Sequence, residues 1–256
     1  MTQSAIYPSL EGRTAFVTGG GSGIGAELVS ALTRQKANVH FVDIDVAASE
    51  ALVARLQDES GDHRVAFTHC DIRDVDRLQQ TIRDVEAEHG AIRVLVNNAA
   101  NDDRHDWQSV TADYWDERMA INLRPQFFAI QAAAPGMANA GGGSIINFGS
   151  ISWKVALGGM PGYTTAKAAI HGLTRGMARD LGESNIRVNT IIPGAIITER
   201  QLDKWITPED EARIQANQCL KQRLLPEHVA PTVLFLAADD SAGCTAHEYF
   251  IDAGWC

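Results

Sequence analysis

Short apolar runs alternate along this chain with longer segments in which apolar residues recur every three or four positions. Leu28, Ala31 and Leu32 show the second pattern, which is the period of a helix with one buried face. Short apolar runs are typical of strands buried on both faces, and strands that alternate with helices predict a parallel sheet covered by helices. We therefore predict a single α/β domain over residues 1–256, a Rossmann-type doubly wound sheet with α/β/α layers. The predicted strands are Arg13–Thr18, Asn38–Asp43, Val65–Cys70, Ile92–Val96 and Ser144–Gly149.

A glycine-rich stretch, Gly-Gly-Gly-Ser-Gly-Ile-Gly from Gly19 to Gly25, links the first predicted strand to the first predicted helix. Gly19 permits a tight turn, Gly23 lets backbone N–H groups approach a pyrophosphate, and Gly25 allows close packing of the helix on the strand. Ser22 and Ile24 belong to the same cradle. An ordinary flexible turn is the alternative, but the flanking strand and helix favour a dinucleotide site.

An acidic residue ends the second predicted strand. Asp43 lies eighteen residues after Gly25, where a carboxylate can accept hydrogen bonds from the adenosine ribose and would repel a 2′-phosphate. Neither Ile44 nor Ser22, the neighbouring positions, offers a guanidinium to that phosphate. The pattern predicts NAD as the cofactor, with NADP less favoured. The alternative is that Asp43 only starts the following helix.

A tyrosine and a lysine occur four residues apart in a predicted helix, as Tyr163 and Lys167. This spacing places both side chains on one helix face. An ammonium there favours tyrosinate, and we expect it to lower the phenol pKa toward the range of a general base. Ser150 follows an apolar strand and lies at the sheet edge where parallel sheets bind ligands. The alternative is a surface Tyr–Lys pair with a capping serine.

Composition narrows the class of protein. Apolar residues make up 45% of the 256, and the net charge of −10 opposes binding to nucleic acid or an anionic membrane. No apolar run is as long as a membrane span, and the start of the chain has no signal-peptide pattern. The cysteines are scattered and the histidines dispersed, so we expect reduced thiols, no metal site and a cytoplasmic protein. The cysteines are Cys70, Cys219, Cys244 and Cys256.

Several motifs occur together in the order and at the separations of one enzyme family. The motifs are Thr18-Gly-x-x-x-Gly-Ile-Gly25, Asp71, Asn97-Asn-Ala, Asn122, Ser150, Tyr163-x-x-x-Lys167 and Pro193-Gly194. From about Leu10 to Gly254 the chain resembles a short-chain dehydrogenase/reductase. The family usually has glycine where Ala100 stands, and the extra methyl group could tighten the floor of the site.

The resemblance implies a role for each matching residue. Tyr163 would be the general acid/base, Lys167 would bind the nicotinamide ribose, and Ser150 would hold the reacting oxygen. Asn122 would support a water chain that carries the proton to solvent. The implied cofactor-binding residues are Gly19, Ser22, Gly23, Ile24, Gly25, Asp43, Asp71, Ile72, Asn98, Ala99, Tyr163, Lys167, Pro193, Gly194, Ile196 and Thr198.

The segment from Asn101 to Trp107 concentrates amides, carboxylates and a guanidinium after the fourth strand. These groups suit a hydroxyl-rich substrate, although a solvated surface loop is an equal alternative. The chain resembles the bacterial D-xylose 1-dehydrogenases of the family at Asn101–His105, Tyr114–Arg118, Asn147–Trp153 and its two ends, Ser4–Leu10 and Asp252–Trp255. That resemblance implies oxidation of an aldose at its anomeric carbon to a lactone with NAD. The candidate substrate contacts are Asn101, Asp102, Arg104, Ser152, Trp153, Gln201 and Trp205.

A polar segment at about residues 196–220 resembles the substrate lid of the family. Thr207-Pro208 predicts a helix start within it, and we expect Gln201 or Trp205 to reach the sugar. An exposed helical hairpin is the alternative. The family also implies a homotetramer, supported by the small residues Ala166, Ala168, Ala169 and Gly172 in the Tyr163 helix, unless these face their own core.

Two other functions remain open from the sequence. The chain could act on another small alcohol or ketone, against which the polar Asn101–Asp106 segment argues. It could instead be a regulator that senses NAD without turnover, because fold alone does not determine function. The complete set of Asn122, Ser150, Tyr163 and Lys167 argues against a sensor, which needs no proton relay.

Overall fold

The computed structural model describes residues 5–60 and 64–256. Within these ranges the chain forms seven strands and nine α-helices. The strands are β1 (Thr14–Thr18), β2 (Asn38–Asp43), β3 (Val65–His69), β4 (Ile92–Asn97), β5 (Gly143–Phe148), β6 (Ile186–Pro193) and β7 (Glu248–Ile251). The helices are α1 (Gly23–Arg34), α2 (Val46–Ser60), α3 (Val75–His89), α4 (Ala112–Asn122), α5 (Arg124–Asn139), α6 (Pro161–Leu181), α7 (Glu199–Lys204), α8 (Pro208–Asn217) and α9 (Pro226–Ala237).

The strands form one parallel sheet in the order β3-β2-β1-β4-β5-β6-β7. The order reverses between β1 and β4, which creates a crevice at the carboxyl ends of the strands, the usual ligand site of such sheets. The predicted doubly wound α/β/α fold is confirmed. Each predicted strand is present, with its ends shifted by no more than one residue. The first four residues, part of the segment inspected for a signal peptide, lie outside the described residues.

Two apolar cores lie on opposite faces of the sheet because successive strand side chains alternate between its faces. In β1, Ala15 and Val17 belong to the core that packs under α1, α2 and α9. Phe16, between them, belongs to the core under α3, α5 and α6. The helices therefore pack against both faces of the sheet. The polar residues that follow the strands lie together at the edge formed by the carboxyl ends of the strands.

Local chemistry sets the helix ends near this edge. The loop glycines lead directly into α1, and α4 and α5 are separated at Leu123 (φ −130°, ψ −58°). The sequence there is Arg124-Pro125, and a proline is tolerated in the first turn of a new helix but not inside a continuing one. The predicted start at Thr207-Pro208 is confirmed, since Thr207 and Asp210 cap α8 reciprocally.

Candidate active site

A large cavity of about 1680 Å³ opens at the carboxyl ends of the strands. Pockets for one drug-sized ligand are roughly 300–1,000 Å³, so this one has room for a dinucleotide together with a small substrate. Every residue predicted to bind the cofactor lines it. These residues are Gly19, Ser22, Gly23, Ile24, Gly25, Asp43, Asp71, Ile72, Asn98, Ala99, Tyr163, Lys167, Pro193, Gly194, Ile196 and Thr198.

The glycine loop forms a backbone cradle at the start of α1. Gly19 has φ +68°, and a Cβ atom at Gly25 would lie 1.8 Å from the Gly19 carbonyl oxygen, so both positions require glycine. Asn98 stiffens the loop, since its Nδ2 donates to the carbonyl oxygens of Thr18 (3.1 Å) and Gly19 (2.9 Å). Ser22, the N-cap residue of α1, makes no capping hydrogen bond through its side chain. The helix N–H groups therefore stay available to an anion, and the cradle fits the pyrophosphate of a nicotinamide dinucleotide.

Carboxylates line the other part of the cofactor cleft. Asp43 accepts hydrogen bonds from the N–H groups of Gly21 (2.8 Å) and Asp45 (3.0 Å), which fix its carboxylate on the cavity wall. The hydrogen bonds and charge of Arg73 lower the pKa of Asp71. Arg73, a cation on this wall, was not predicted from the sequence, but Asp71 and Glu117 already hold its guanidinium at 2.6 and 3.0 Å.

Tyr163 and Lys167 project from the first two turns of α6 toward the end of β5, as their spacing predicts. The Lys167 ammonium donates to the carbonyl oxygen of Phe148 (2.7 Å) and lies 5.6 Å from the centre of the Tyr163 ring. Ser150, two residues beyond Phe148, lies close enough to the Tyr163 hydroxyl for its side chain to oppose the rise in the pKa of that phenol. Its Oγ also accepts the N–H of Ser152 at 3.1 Å, which holds the serine hydroxyl beside the phenol.

Burial dominates the electrostatics of this pair. Burial lowers the pKa of Lys167 to about 7, although the negative charge of Asp102 acts to raise it. Burial also raises the pKa of Tyr163 well above its ordinary value, and Asp102 adds to that rise while Ser150 and Arg104 oppose it. The predicted lowering of the phenol pKa is therefore wrong for the protein's own groups, because desolvation of the phenolate outweighs the opposing effects of Ser150 and Arg104.

Asn122 lies behind the cavity wall and is fully buried. Its Oδ1 accepts the N–H of Asn101 (2.8 Å) and its Nδ2 donates to the carbonyl oxygen of Arg118 (3.1 Å). The side-chain amide is thus used to fix the loop after β4. The backbone carbonyl oxygen of Asn122 is not used in this way. At the break between α4 and α5, the N–H of Gln126 donates to the carbonyl oxygen of Leu123 (3.1 Å) instead of to that of Asn122. Any part that Asn122 plays in a water chain therefore falls to its carbonyl oxygen.

The candidate substrate end of the cavity lies between the loop after β4 and helix α7. Asp102 accepts from Gln201 Nε2 at 2.7 Å, and Arg200 pairs with Asp103 at 2.9 Å. Arg104 lies over the Trp205 ring, 5.5 Å from its centre. Asn101, Asp102, Arg104, Gln201 and Trp205 all line the cavity, and so does Arg200, which the sequence analysis missed. Its place beside Thr198 and Gln201 was the available signal.

The predictions for Ser152 and Trp153 have different outcomes. Ser152 lines the cavity, and its buried Oγ has no hydrogen-bond partner among residues 5–60 and 64–256. Trp153 does not line the cavity, so the structure does not bring its indole to the candidate substrate end. Residues 151–153 form one turn of 3-10 helix, which directs the indole toward α6, where Nε1 donates to His171 Nε2 at 3.1 Å.

A family model described as enoyl-(acyl carrier protein) reductase matches residues 19–256 of this sequence. The chain belongs to the short-chain dehydrogenase/reductase family. It is 53% identical to a D-xylose 1-dehydrogenase of Caulobacter vibrioides, over 98% of this chain and 99% of the relative. A Rhizobium meliloti protein described as a probable galactose dehydrogenase is 47% identical over 98% of each chain.

Solved structures of family members have the same fold. A 7α-hydroxysteroid dehydrogenase in complex with NADH and 7-oxo-glycochenodeoxycholic acid superposes with a TM-score of 0.91 at 30% identity, covering 97% of this chain and 96% of its own. A short-chain dehydrogenase/reductase of Mycobacterium ulcerans superposes with a TM-score of 0.92 at 26% identity, covering 96% and 90%. The cavity described above therefore belongs to an oxidoreductase fold that uses nicotinamide cofactors.

Two kinds of feature are absent from the described part of the chain. No group of three or more His, Cys, Asp or Glu side chains is arranged there to hold a metal ion. No helix within residues 5–60 and 64–256 is long and apolar enough to cross a membrane.

Proposed function

We propose that this enzyme is an NAD-dependent aldose 1-dehydrogenase, which oxidises the anomeric hydroxyl of an aldose such as D-xylose or L-arabinose to a lactone. The observation that carries the proposal is the position of the Ser150–Tyr163–Lys167 group, which faces a wall of hydroxyl-binding side chains supplied by Asn101 and Asp102. The identity of 53% to a D-xylose 1-dehydrogenase and 47% to a probable galactose dehydrogenase supports the same substrate class.

Each candidate catalytic residue would have a separate role in the oxidation. Ser150 would orient the reacting oxygen, and Tyr163 would take the proton of the C1 hydroxyl. When bound, the nicotinamide accepts the hydride. Lys167, with its pKa at about 7, can gain or release a proton near neutral pH. This suits a group that receives the proton after Tyr163 and passes it on. The carbonyl oxygen of Asn122 would support water on the path to solvent.

NAD is the proposed cofactor because of the charges beside the adenosine end of the cleft. Asp43 presents a carboxylate on the cavity wall, where it would accept from ribose hydroxyls and repel a phosphate. Arg73, the cation of that wall, is already bonded to Asp71 and Glu117. A 2′-phosphate would therefore meet the Asp43 carboxylate and compete for a guanidinium that two carboxylates already hold.

We also propose a lid, an assembly and a location. Residues 196–220, which include α7 and α8, would close over the sugar, since Gln201 and Trp205 already line the cavity.

Ala169 and Gly172 of α6 are exposed, while Ala166 faces its own core, so this helix could meet another copy in a homotetramer. Light scattering at micromolar concentration would measure the mass of the assembly.

A cytoplasmic location agrees with thiols at all four cysteines of the described chain.

The proposed activity is tested by initial rates of reduced-cofactor absorbance on a panel of aldoses, each with NAD and with NADP. We expect turnover on an aldopentose with NAD and a lower kcat/KM with NADP. Tyr163→Phe should lower kcat by roughly 10²–10⁴-fold and leave NAD binding nearly intact. Silence on every aldose, together with turnover of another alcohol or ketone, would overturn the substrate class. NAD binding without turnover of any alcohol would favour the sensor.

A further inference from the structure

A cluster of polar and charged side chains lies behind the candidate catalytic loop, outside the cavity. It consists of Trp153 and Lys154 from the segment after β5, His171 from α6 and Glu248 from β7. Trp153 Nε1 donates to His171 Nε2 at 3.1 Å, and His171 Nδ1 bonds to Glu248 Oε1. Lys154 pairs with Glu248 Oε2 at 3.2 Å and lies 4.4 Å from the centre of the Trp153 ring. The proposed reaction uses none of these four groups directly.

The hydrogen bonds of His171 select one form of its ring. Because an indole nitrogen is only a donor, His171 Nε2 must be the unprotonated nitrogen, and Nδ1 then carries the proton given to Glu248. Burial tends to raise the pKa of Glu248, but the hydrogen bonds of His171 and Lys154 and the charge of Lys154 outweigh burial and lower it. The carboxylate therefore stays an acceptor and keeps the imidazole in the orientation that accepts the indole N–H.

His171 stands directly under the candidate catalytic residues. It lies four residues after Lys167, one turn further along the same face of α6. A Cβ atom at Gly149 would lie 3.3 Å from its Nε2, so the ring lies close to the chain just before Ser150. On the other side of Ser150, the 3-10 turn from Ile151 to Trp153 carries the indole that His171 holds.

We propose that His171, held by Glu248, is a positioning residue that fixes the Ser150 hydroxyl through Trp153. The proposal rests on the proposed oxidoreductase function. The mechanical connection is short, because the Ser150 Oγ accepts the N–H of Ser152 at 3.1 Å and Ser152 adjoins the anchored indole. If the indole is released, the turn loses its anchor on α6, and Ser150 loses its fixed direction toward Tyr163. The expected consequence is slower chemistry with unchanged cofactor binding.

Point variants separate this role from simple packing. Trp153→Phe keeps an aromatic ring and removes the donor, and His171→Phe removes the acceptor. Each should lower kcat by about tenfold, the effect of one misdirected hydrogen bond at the reacting centre, with KM for NAD unchanged. His171→Gln keeps an acceptor and a donor and should restore most of the rate. The double Phe variant should be no slower than either single one, since both break the same contact.

His40→Phe supplies the matched control. His40 is a half-buried histidine of β2 that bonds to Thr68 at 2.9 Å and stacks on Phe16, far in sequence from Ser150. We expect this variant to lower stability and leave kcat unchanged. Equal losses of kcat in His40→Phe and His171→Phe would show a general packing effect and overturn the proposal.

A second readout does not depend on the substrate. The indole N–H signal of Trp153, identified in a ¹⁵N-tryptophan spectrum by its loss in Trp153→Phe, should exchange slowly with solvent. It should exchange faster in His171→Phe and slowly again in His171→Gln. An unchanged signal in His171→Phe would overturn the proposal whatever the enzyme oxidises. The expected exchange pattern together with silence on all aldoses would instead count against the proposed substrate class alone.

Discussion

Lys167 should destabilise the folded protein near neutral pH, and Lys167→Met should relieve that cost. Only 2% of the lysine is exposed, and burial lowers its pKa from 10.5 to about 7. Between these two pH values the unfolded chain binds a proton that the native protein does not. Stability contributed by this group therefore rises as pH increases from 7 to 10.5 and is lost as pH falls toward 7. Methionine has a similar shape and no charge to desolvate.

The magnitude follows from the difference between the two pKa values. At 1.36 kcal/mol per unit, the shift corresponds to at most about 5 kcal/mol of folding free energy at low pH. The variant also loses the hydrogen bond from Nζ to the Phe148 carbonyl oxygen, which is worth about 1 kcal/mol. We therefore expect Lys167→Met to be more stable than the wild type by about 3–4 kcal/mol at pH 7, while its kcat falls at least about 100-fold.

Urea unfolding followed by circular dichroism, without cofactor, measures the effect at pH 7 and pH 9.5. The advantage of Lys167→Met should shrink by about 3 kcal/mol between these two pH values, since neutral lysine costs little to bury. Lys36→Met, which removes an exposed ammonium, serves as the control. A stability difference for Lys167→Met that does not change with pH, or that matches the control, would refute the reasoning.

Three further substitutions test the cleft. Asp43→Asn should raise kcat/KM with NADP relative to NAD by about tenfold or more, because it removes the repelling charge; an unchanged ratio of initial rates would contradict this. Arg200→Met should leave the urea midpoint nearly unchanged, since its pair with Asp103 is largely exposed, yet speed proteolysis within residues 199–217; equal cleavage rates would argue against a lid. Asp102→Asn should lower the Tyr163 pKa, seen as tyrosinate absorbance at lower pH than in the wild type.

Local features were the ones that sequence reasoning predicted well. Gly19 and Gly25 stand where a tight turn and a close helix contact require glycine, and Tyr163 and Lys167 lie four residues apart on one helix. Such features depend on neighbours within one or two turns of chain, so their geometry can be inferred from spacing. Their shared position at the sheet edge followed from the alternation of strands and helices.

Features that depend on distant contacts were not predictable in the same way. The direction of Trp153 is set by a 3-10 turn and by His171, eighteen residues away. The contact of Gln201 with Asp102 joins positions 99 residues apart, and no local pattern encodes that distance. The Tyr163 pKa was misjudged because spacing reveals the neighbouring lysine but not the depth of burial, which is the largest influence on that pKa.

The central claim is oxidation at the anomeric carbon, and the fate of that carbon tests it most directly. D-xylose labelled with ¹³C at C1 would be incubated with the enzyme and NAD, and followed by NMR alongside reduced-cofactor absorbance. The account predicts that the anomeric signal converts into a lactone carbonyl signal, one equivalent per reduced cofactor, and that Tyr163→Phe abolishes both changes. Reduced cofactor formed while the anomeric signal persists, or no conversion of this or any other C1-labelled aldose, would contradict it.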